Sequence, residues 1–339
     1  MTRSEFRQAV FERDGHKCVM CGAPAQDAHH IMERRLFPDG GYHPDNGASV
    51  CGECHYDAEK THITPEDLRA GAGITRPYLP PHLYSDQRYD KWGNILISGD
   101  RILAGELFHD ESVQKILREA GPGVLDRVVH WVKYPRTHHL PWSPGMHPDD
   151  RRIQSIDALV GKEVVVTLKM DGENTTLYND YIHARSVTSG DHVSRHWIKN
   201  CWSRIANDIP PGWRVCGENL WAVHSIKYEN LESYFLGFSV WNDRNVCLSW
   251  DETVEWLGLL EIPYVPVIYR GPFDEASIQR AFDDHYSVDA DEGYVVRLAG
   301  EFNYGAFRHS VAKWVRPQHV QTTKHWFHGQ RVERNKVKL

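Results

Sequence analysis

The sequence predicts an α+β fold divided between two chemically distinct regions. Three patterns carry this: two Cys-x-x-Cys pairs between Cys18 and Cys54, an amphipathic helical spacing between 110 and 120, and β-branched runs separated by a turn from Glu163 onward. A chain of 339 residues has room for about two domains, each able to bury a core. With 41% hydrophobic, 25% charged and 11% aromatic residues, a disordered or fibrous protein is excluded. No apolar run approaches the roughly 18 residues that cross a bilayer. Met1 is followed by polar Thr2, Arg3, Ser4 and Glu5, so the expectation is a soluble, cytoplasmic protein with no membrane partner.

The first region is defined by Cys18-x-x-Cys21 and Cys51-x-x-Cys54, while Cys201, Cys216 and Cys247 have no such spacing. Four thiolates satisfy a tetrahedral Zn²⁺ with no open position, which predicts a structural zinc site. Two disulfides would need an oxidising compartment, for which there is no export signal. The stretch between Cys21 and Cys51 is longer than a plain zinc ribbon needs.

That insert contains Asp27-Ala28-His29-His30-Ile31, a Gly-rich turn at Pro38-Asp39-Gly40-Gly41 and then Asn46, with His55 just beyond the second pair. The arrangement resembles the HNH endonuclease family, whose ββα-metal unit carries these residue types in this order. The resemblance covers about the first 60 residues and implies His30 as general base, His29 and His55 as ligands of a divalent metal, and Asn46 as the group orienting the base or its loop. Phosphodiester hydrolysis needs such a base for water and a cation for the leaving oxygen. The family often has Asp at the first ligand position, where this chain has His29. A zinc module used only for binding is the alternative.

Between residues 63 and 132 the sequence predicts a connector with helices. Pro77, Pro80 and Pro81 interleaved with Tyr78, Tyr84 and Tyr89 suit an extended segment. Val113, Ile116 and Leu117 predict a helix opened by Asp110 and closed by Gly121, and a second helix is expected over Val124–Val132.

From Glu163 the pattern is β. Glu163–Leu168 and Thr175–Tyr178 read as strands around Lys169-Met170-Asp171-Gly172-Glu173-Asn174, which places a lysine at a strand end where its amine can reach a pocket. Taken alone, this is as well explained by a hairpin with a surface lysine. Downstream, however, His183-Ala184-Arg185-Ser186, Val215-Cys216-Gly217-Glu218-Asn219-Leu220, Leu236-Gly237-Phe238-Ser239-Val240, Asp291-Glu292-Gly293-Tyr294-Val295-Val296-Arg297 and Val311-Ala312-Lys313-Trp314-Val315-Arg316 follow in order. Together with Lys133-Tyr134-Pro135-Arg136-Thr137-His138-His139-Leu140-Pro141, they resemble the RNA ligase branch of the covalent nucleotidyltransferase superfamily.

This resemblance spans residues 133–339 and implies an ATP-grasp-like ligase adenylation domain built on antiparallel sheets, preceded by the HNH-like domain at 1–62. It implies Lys169 as the nucleophile, and Asp171, Asn174, Arg185, Glu218, Phe238, Lys313 and Arg316 as nucleotide-binding residues. Phe238 would stack on the base, Glu218 would meet the ribose, and Lys313 with Arg316 would face the triphosphate. Glu292 would hold Mg²⁺ or Mn²⁺. A common Lys-x-Lys pattern is reduced here to Lys313 with Arg316 nearby. A cationic neighbourhood with Mg²⁺ is expected to favour the free Lys169 amine.

The implied reaction has three steps: attack on ATP to form lysyl-AMP, transfer of AMP to a 5′-phosphate, and displacement of AMP by a 3′-OH. The partners would be RNA or DNA strands bearing those ends, in repair or end processing; nothing points to a protein partner. Only the short stretch to Leu339 follows Lys313, so the expectation is an RNA ligase without the downstream OB domain of capping enzymes and many DNA ligases. A DNA nick ligase with nuclease activity and a non-catalytic end-binding protein are the alternatives. The net charge of −7 hides segregation, because residues 308–339 hold eight Lys/Arg and one acid, Glu333, leaving −14 on the rest. A basic end on an acidic body invites a nucleic-acid reading, with a solvated tail as the bland alternative.

Overall fold

The computed structural model describes residues 1–338 except 98–100, 122, 147, 149, 288 and 318–331. Lys324 and Arg331 of the basic end lie outside the described residues, as does Leu339. The chain divides into two compact units, Met1–His130 and Trp131–Leu339.

The first unit opens with α1 (Arg3–Arg13), started by a capping box in which Thr2 and Glu5 bond each other's backbone N–H. Phe6 and Val10 of α1 are buried. Strands β1 (Asp27–His30) and β2 (Gly47–Val50) pair antiparallel, with His29 opposite Ala48 and His30 opposite Gly47. Helix α2 (Gly52–Glu59) follows directly, then α3 (Pro65–Gly71). Ile31, Ala48, Val50, Ala58 and Leu68 form the core beneath the cysteines.

Residues 63–130, expected as a connector, pack as part of this unit. They form a small antiparallel sheet of β3 (Arg88–Tyr89), β4 (Ile95–Ile97) and β5 (Arg101–Leu103), followed by α4 (Glu111–Glu119). Asp110 caps α4 by accepting from Ser112 and Val113, and Val113 and Leu117 are buried, as the helical spacing requires. The helix expected over Val124–Val132 does not form. Only a 3₁₀ turn, Leu125–Arg127, is present, because Val128 bridges Ile102 and the Val129 N–H donates to the Ile102 carbonyl. A valine-rich segment with weak helix propensity is claimed by strand-like pairing instead.

The second unit holds two sheets. One runs in the order β13 (Val267–Pro272), β7 (Glu163–Leu168), β14 (Gly293–Leu298), β16 (Val311–Val315) and β6 (His138–His139). All its pairings are antiparallel except β16 with β6. The other is wholly antiparallel, in the order β15 (Phe302–Asn303), β12 (Val246–Cys247), β11 (Phe235–Trp241), β10 (Arg214–Asn219), β8 (Glu173–Tyr178) and β9 (Ile182–Ala184). Helices α5 (His196–Ile205), α6 (Trp250–Leu259), α7 (Glu275–Asp283) and the short α8 (Phe307–Ser310) complete the unit. The main core joins Val164, Val166, Leu168, Tyr294, Val296 and Ala312 of the first sheet to Leu236 of the second. The expected mixed α+β architecture with antiparallel sheets is thus present. Among the described residues no helix is long and apolar enough to cross a membrane.

Residues 332–338 are not a solvated tail. Asn335 is fully buried; its amide donates to the carbonyls of Leu220 (2.8 Å) and Ala222 (3.1 Å), and its Oδ1 accepts from the Tyr228 N–H (2.8 Å). Lys336 pairs with Glu229 and Lys227 with Glu333, each at 2.6 Å. One base and the one acid of the basic end, Lys336 and Glu333, are therefore paired within the fold.

Candidate functional site

The β-branched run of β7 buries Val164, Val165 and Val166, and the chain leaves the sheet at Lys169. The Lys169 N–H donates to the Gly293 carbonyl at 2.9 Å, which sets Lys169 beside Glu292 at the start of β14. The two side chains meet with Nζ 2.8 Å from each Glu292 oxygen. On the facing sheet, Asn174 of β8 and Glu218 of β10 are direct cross-strand partners. The pairing of β10 with β11 shifts register between Cys216 and Gly217, so Phe238 is the extra residue of a bulge. A bulge re-aims a side chain, and Phe238 lines the cavity with its ring edge-on to Tyr134 at 5.1 Å.

The cavity measures about 630 Å³ and is lined by Lys169, Asn174, Arg185, Glu218, Phe238 and Lys313 from the expected set. That volume suits a nucleotide-sized ligand. Asn174 Oδ1 is buried with no hydrogen-bond partner among the described residues, an orphaned acceptor at the wall. Two glycines let the acids approach. A Cβ at Gly172 would lie 2.6 Å from the Asn219 carbonyl oxygen, and one at Gly293, where φ is +149°, would lie 2.1 Å from that of Trp314.

Three expected residues are not among the lining: Glu292, which touches Lys169 instead, Asp171 and Arg316. Asp171 is not among the lining residues; one of its carboxylate oxygens accepts from the N–H groups of Ser225 (2.7 Å) and Ile226 (2.8 Å) and so anchors the loop after β10. Arg316 is also outside the lining, because its guanidinium donates to the Asp289 carbonyl at 2.7 Å. Residues that were assigned no individual role from the sequence stand at the same wall. Tyr134 and Arg136 line the cavity from the lead-in segment, and Arg297 and His224 line it from β14 and the loop after β10. Asp150 lies 3.3 Å from Lys313 Nζ and 3.1 Å from His139 Nε2, and the His139 Nδ1 meets Ser143 Oγ at 2.8 Å. The parallel pairing of Lys313 with His139 assembles this array, and no local signal announces it.

The electrostatics also correct the expected cationic neighbourhood. Burial pulls the Lys169 amine down, but Glu292, Glu218 and Asp171 outweigh it and hold the pKa above its ordinary value. Burial pushes Glu218 up to about 8, against the pull of Lys169 and with the repulsion of Glu292 and Asp171. Burial lowers the Lys313 pKa, opposed by Asp150. In the protein alone, Lys169 is a protonated amine among acids.

In the first unit the sulfurs of Cys18, Cys21, Cys51 and Cys54 all lie within 4.8 Å of one another, with Cys21 and Cys51 3.6 Å apart. Sulfurs around a tetrahedral Zn²⁺ at about 2.3 Å would be about 3.8 Å apart, so the donor set fits that ion. Burial raises the Cys18 thiol, but hydrogen bonds from the backbone of Cys51, Cys21 and Met20 bring it down to about 7, while burial and neighbouring sulfurs push Cys54 up.

A second group joins His29, His55 and Glu59, again within 4.8 Å. Glu59 was missed in the sequence, although it stands one helical turn after His55 on α2. His29 Nδ1 is buried without a hydrogen-bond partner among the described residues, 3.6 Å from Glu59 Oε1, which fits a metal ligand. His30 is not in the group. Alternation along β1 turns its ring to the other face, stacked on Phe6 at 4.6 Å and edge-on to Tyr42 at 5.2 Å. Burial, then Lys91, Arg34 and Arg3, lower its pKa to about 4. Asn46 is fully buried, bonding the Met32 N–H and carbonyl and the Gly41 carbonyl, and so pins the loop between the strands.

No curated protein matches the sequence. Among solved structures, an archaeal ATP-dependent RNA ligase overlaps at a TM-score of 0.37 with 16% identity, covering 54% of this chain and 48% of that one. A mutant of the Naegleria gruberi RNA ligase with ATP and Mn overlaps at 0.34 with 17% identity, covering 55% of this chain and 61% of that one. The chain thus spans about half to three-fifths of those proteins' lengths. By sequence, residues 162–315 match the RNA ligase family model.

Proposed function

We propose that the second unit is an ATP-dependent polynucleotide ligase acting on RNA ends through a lysyl-AMP intermediate. The observation that carries this reading is the placement of Lys169 against Glu292 in a cavity where Asn174, Arg185, Glu218, Phe238 and Lys313 converge from two sheets. Phe238 offers a face for the adenine, and Glu218 reaches the ribose. Lys313 and Arg185 neutralise the phosphates; Arg136 and Arg297 are the further cations on the cavity wall, in place of Arg316. Asp171 acts on the nucleotide indirectly, by fixing its loop.

Mg²⁺ or Mn²⁺ held by Glu292 would draw the carboxylate charge away from Lys169 and offset charge on the leaving pyrophosphate. Lys169 gives its proton to solvent, its Nζ forms a bond to the α-phosphorus, and the bond from that phosphorus to the bridging oxygen breaks, releasing pyrophosphate. AMP passes to a 5′-phosphate, and a 3′-OH displaces it. Incubation with α-labelled ATP and Mg²⁺ should leave label covalently on the chain and none on Lys169→Ala. Label retained by that variant overturns the reading. Sealing assays on nicked RNA, DNA and hybrid duplexes distinguish RNA from DNA as the substrate.

For the first unit the reading is an HNH-type nuclease module with Zn²⁺ in the four-cysteine clip and a second divalent metal on His29, His55 and Glu59. The donor set of that second group supports it. His30, neutral near pH 7, retains a lone pair to accept a proton from water. Metal-dependent cleavage should fall in His30→Ala; equal cutting by both proteins removes His30 as the base.

A further inference from the structure

One charged side chain of the first unit has no part in either reaction so far. Lys91 lies beyond β3, with its side chain only 5% exposed. Its ammonium is 2.7 Å from Glu59 Oε1, 3.4 Å from His29 Nε2, 3.3 Å from the His30 carbonyl and 3.9 Å from Glu33. A buried amine is thus directed at two of the three side chains that form the second metal group.

The two cations exclude each other whichever nitrogen of His29 is used. An imidazole that accepts from the Lys91 ammonium at Nε2 carries its single proton on Nδ1 and has no lone pair there for a metal. Ligation through Nδ1 moves that proton to Nε2 and sets a donor against a donor. Ligation through Nε2 places the metal on an atom the ammonium already faces, with Glu59 Oε1 shared between them. Bonds of about 2.0–2.2 Å to those atoms bring a divalent charge against the ammonium, and like charges at that range repel strongly in a buried setting.

We propose that Lys91 is a resident counter-cation of the His29–His55–Glu59 group, and that a divalent ion is admitted there only in exchange for its ammonium. This rests on the reading of that group as a metal site. The exchange makes the site weak for metal while Lys91 is seated, and it keeps Glu59 and His29 paired when no metal is bound.

The test is Mn²⁺ titration of the full zinc-loaded chain by electron paramagnetic resonance, without nucleotide. Lys91→Met removes the charge, and Lys91→Gln removes it while keeping a donor for the His30 carbonyl. Both should bind Mn²⁺ at least about tenfold more tightly than the unaltered chain. The gain should vanish in Lys91→Gln combined with His55→Ala. Equal affinity in the unaltered chain and both single variants overturns the exchange while leaving the metal site standing. A gain that survives His55→Ala, or no Mn²⁺ at this site in any variant, overturns the metal-site reading together with the exchange.

Discussion

Glu218 is a half-buried carboxyl group beside two other acids and one ammonium, and its protonation is a property of the fold. With a pKa near 8 in the folded chain against 4.5 ordinarily, its proton stabilises the folded state. That contribution is complete below about pH 4.5 and is lost as the pH rises towards 8. Glu218→Gln removes the titration and keeps an oxygen for the Gly172 N–H, which Glu218 accepts at 3.2 Å. In urea unfolding of the nucleotide-free protein, the variant should gain on the parent from about pH 5 to pH 8, by on the order of 2 kcal/mol. A constant difference across that range would contradict the raised pKa. The same variant should bind ATP less tightly if Glu218 meets the ribose.

Among the elements, the segment 332–338 does the most for its size. Asn335 satisfies the Leu220 and Ala222 carbonyls and the Tyr228 N–H, while the Ser225 and Ile226 N–H groups of the same loop hold Asp171. Asn335→Ala leaves three buried groups unpaired, for an expected loss of about 3 kcal/mol in the unfolding of the second unit. The proposed lysyl-AMP formation should slow with it, because Asp171 is next but one to Lys169 in the chain. Deleting Arg331–Leu339 therefore tests the fold of this loop before it tests attraction to nucleic acid. None of this was legible in the sequence, where Asn335 sits in a basic, polar stretch with no periodicity. What was legible is local: the β7 run ending at Lys169, the α4 spacing and the cysteine pairs each declare themselves over a short window. Glu59, Asp150 and the bulge at Phe238 depend on pairings between distant segments. The helix expected at Val124–Val132 failed for the same reason, since its competitor, Ile102, belongs to β5 on the far side of α4.

At the scale of the molecule, each unit has its own core, and only the first carries the cysteine clip. Structural zinc in small domains is worth about 10–16 kcal/mol, so stripping the Zn²⁺ proposed for the cysteine clip should unfold the segment from Cys18 to Cys54. Calorimetry before and after chelation should lose the unfolding transition of the first unit, while the proposed labelling of Lys169 from ATP stays nearly unchanged. Loss of both together would show that the units do not fold separately. The charge balance also reads differently once the fold is known: Lys336 and Glu333 of the segment 308–339 pair with Glu229 and Lys227, which leaves the sum at +7, whereas Lys313 of the same segment lies 3.3 Å from Asp150 and offers less of its charge to a polyanion.

The close approaches at Gly172 and Gly293 bear on any effort to retailor the proposed nucleotide pocket. At both positions the neighbouring oxygen belongs to backbone, which cannot rotate aside as a side chain can. Randomised libraries should therefore recover glycine alone at 172 and 293 among adduct-forming clones, and even alanine should be lost. Diversity is better placed at Arg136, Arg185 and Phe238, where the wall is made of side chains and a new base or sugar could be accommodated without moving a strand.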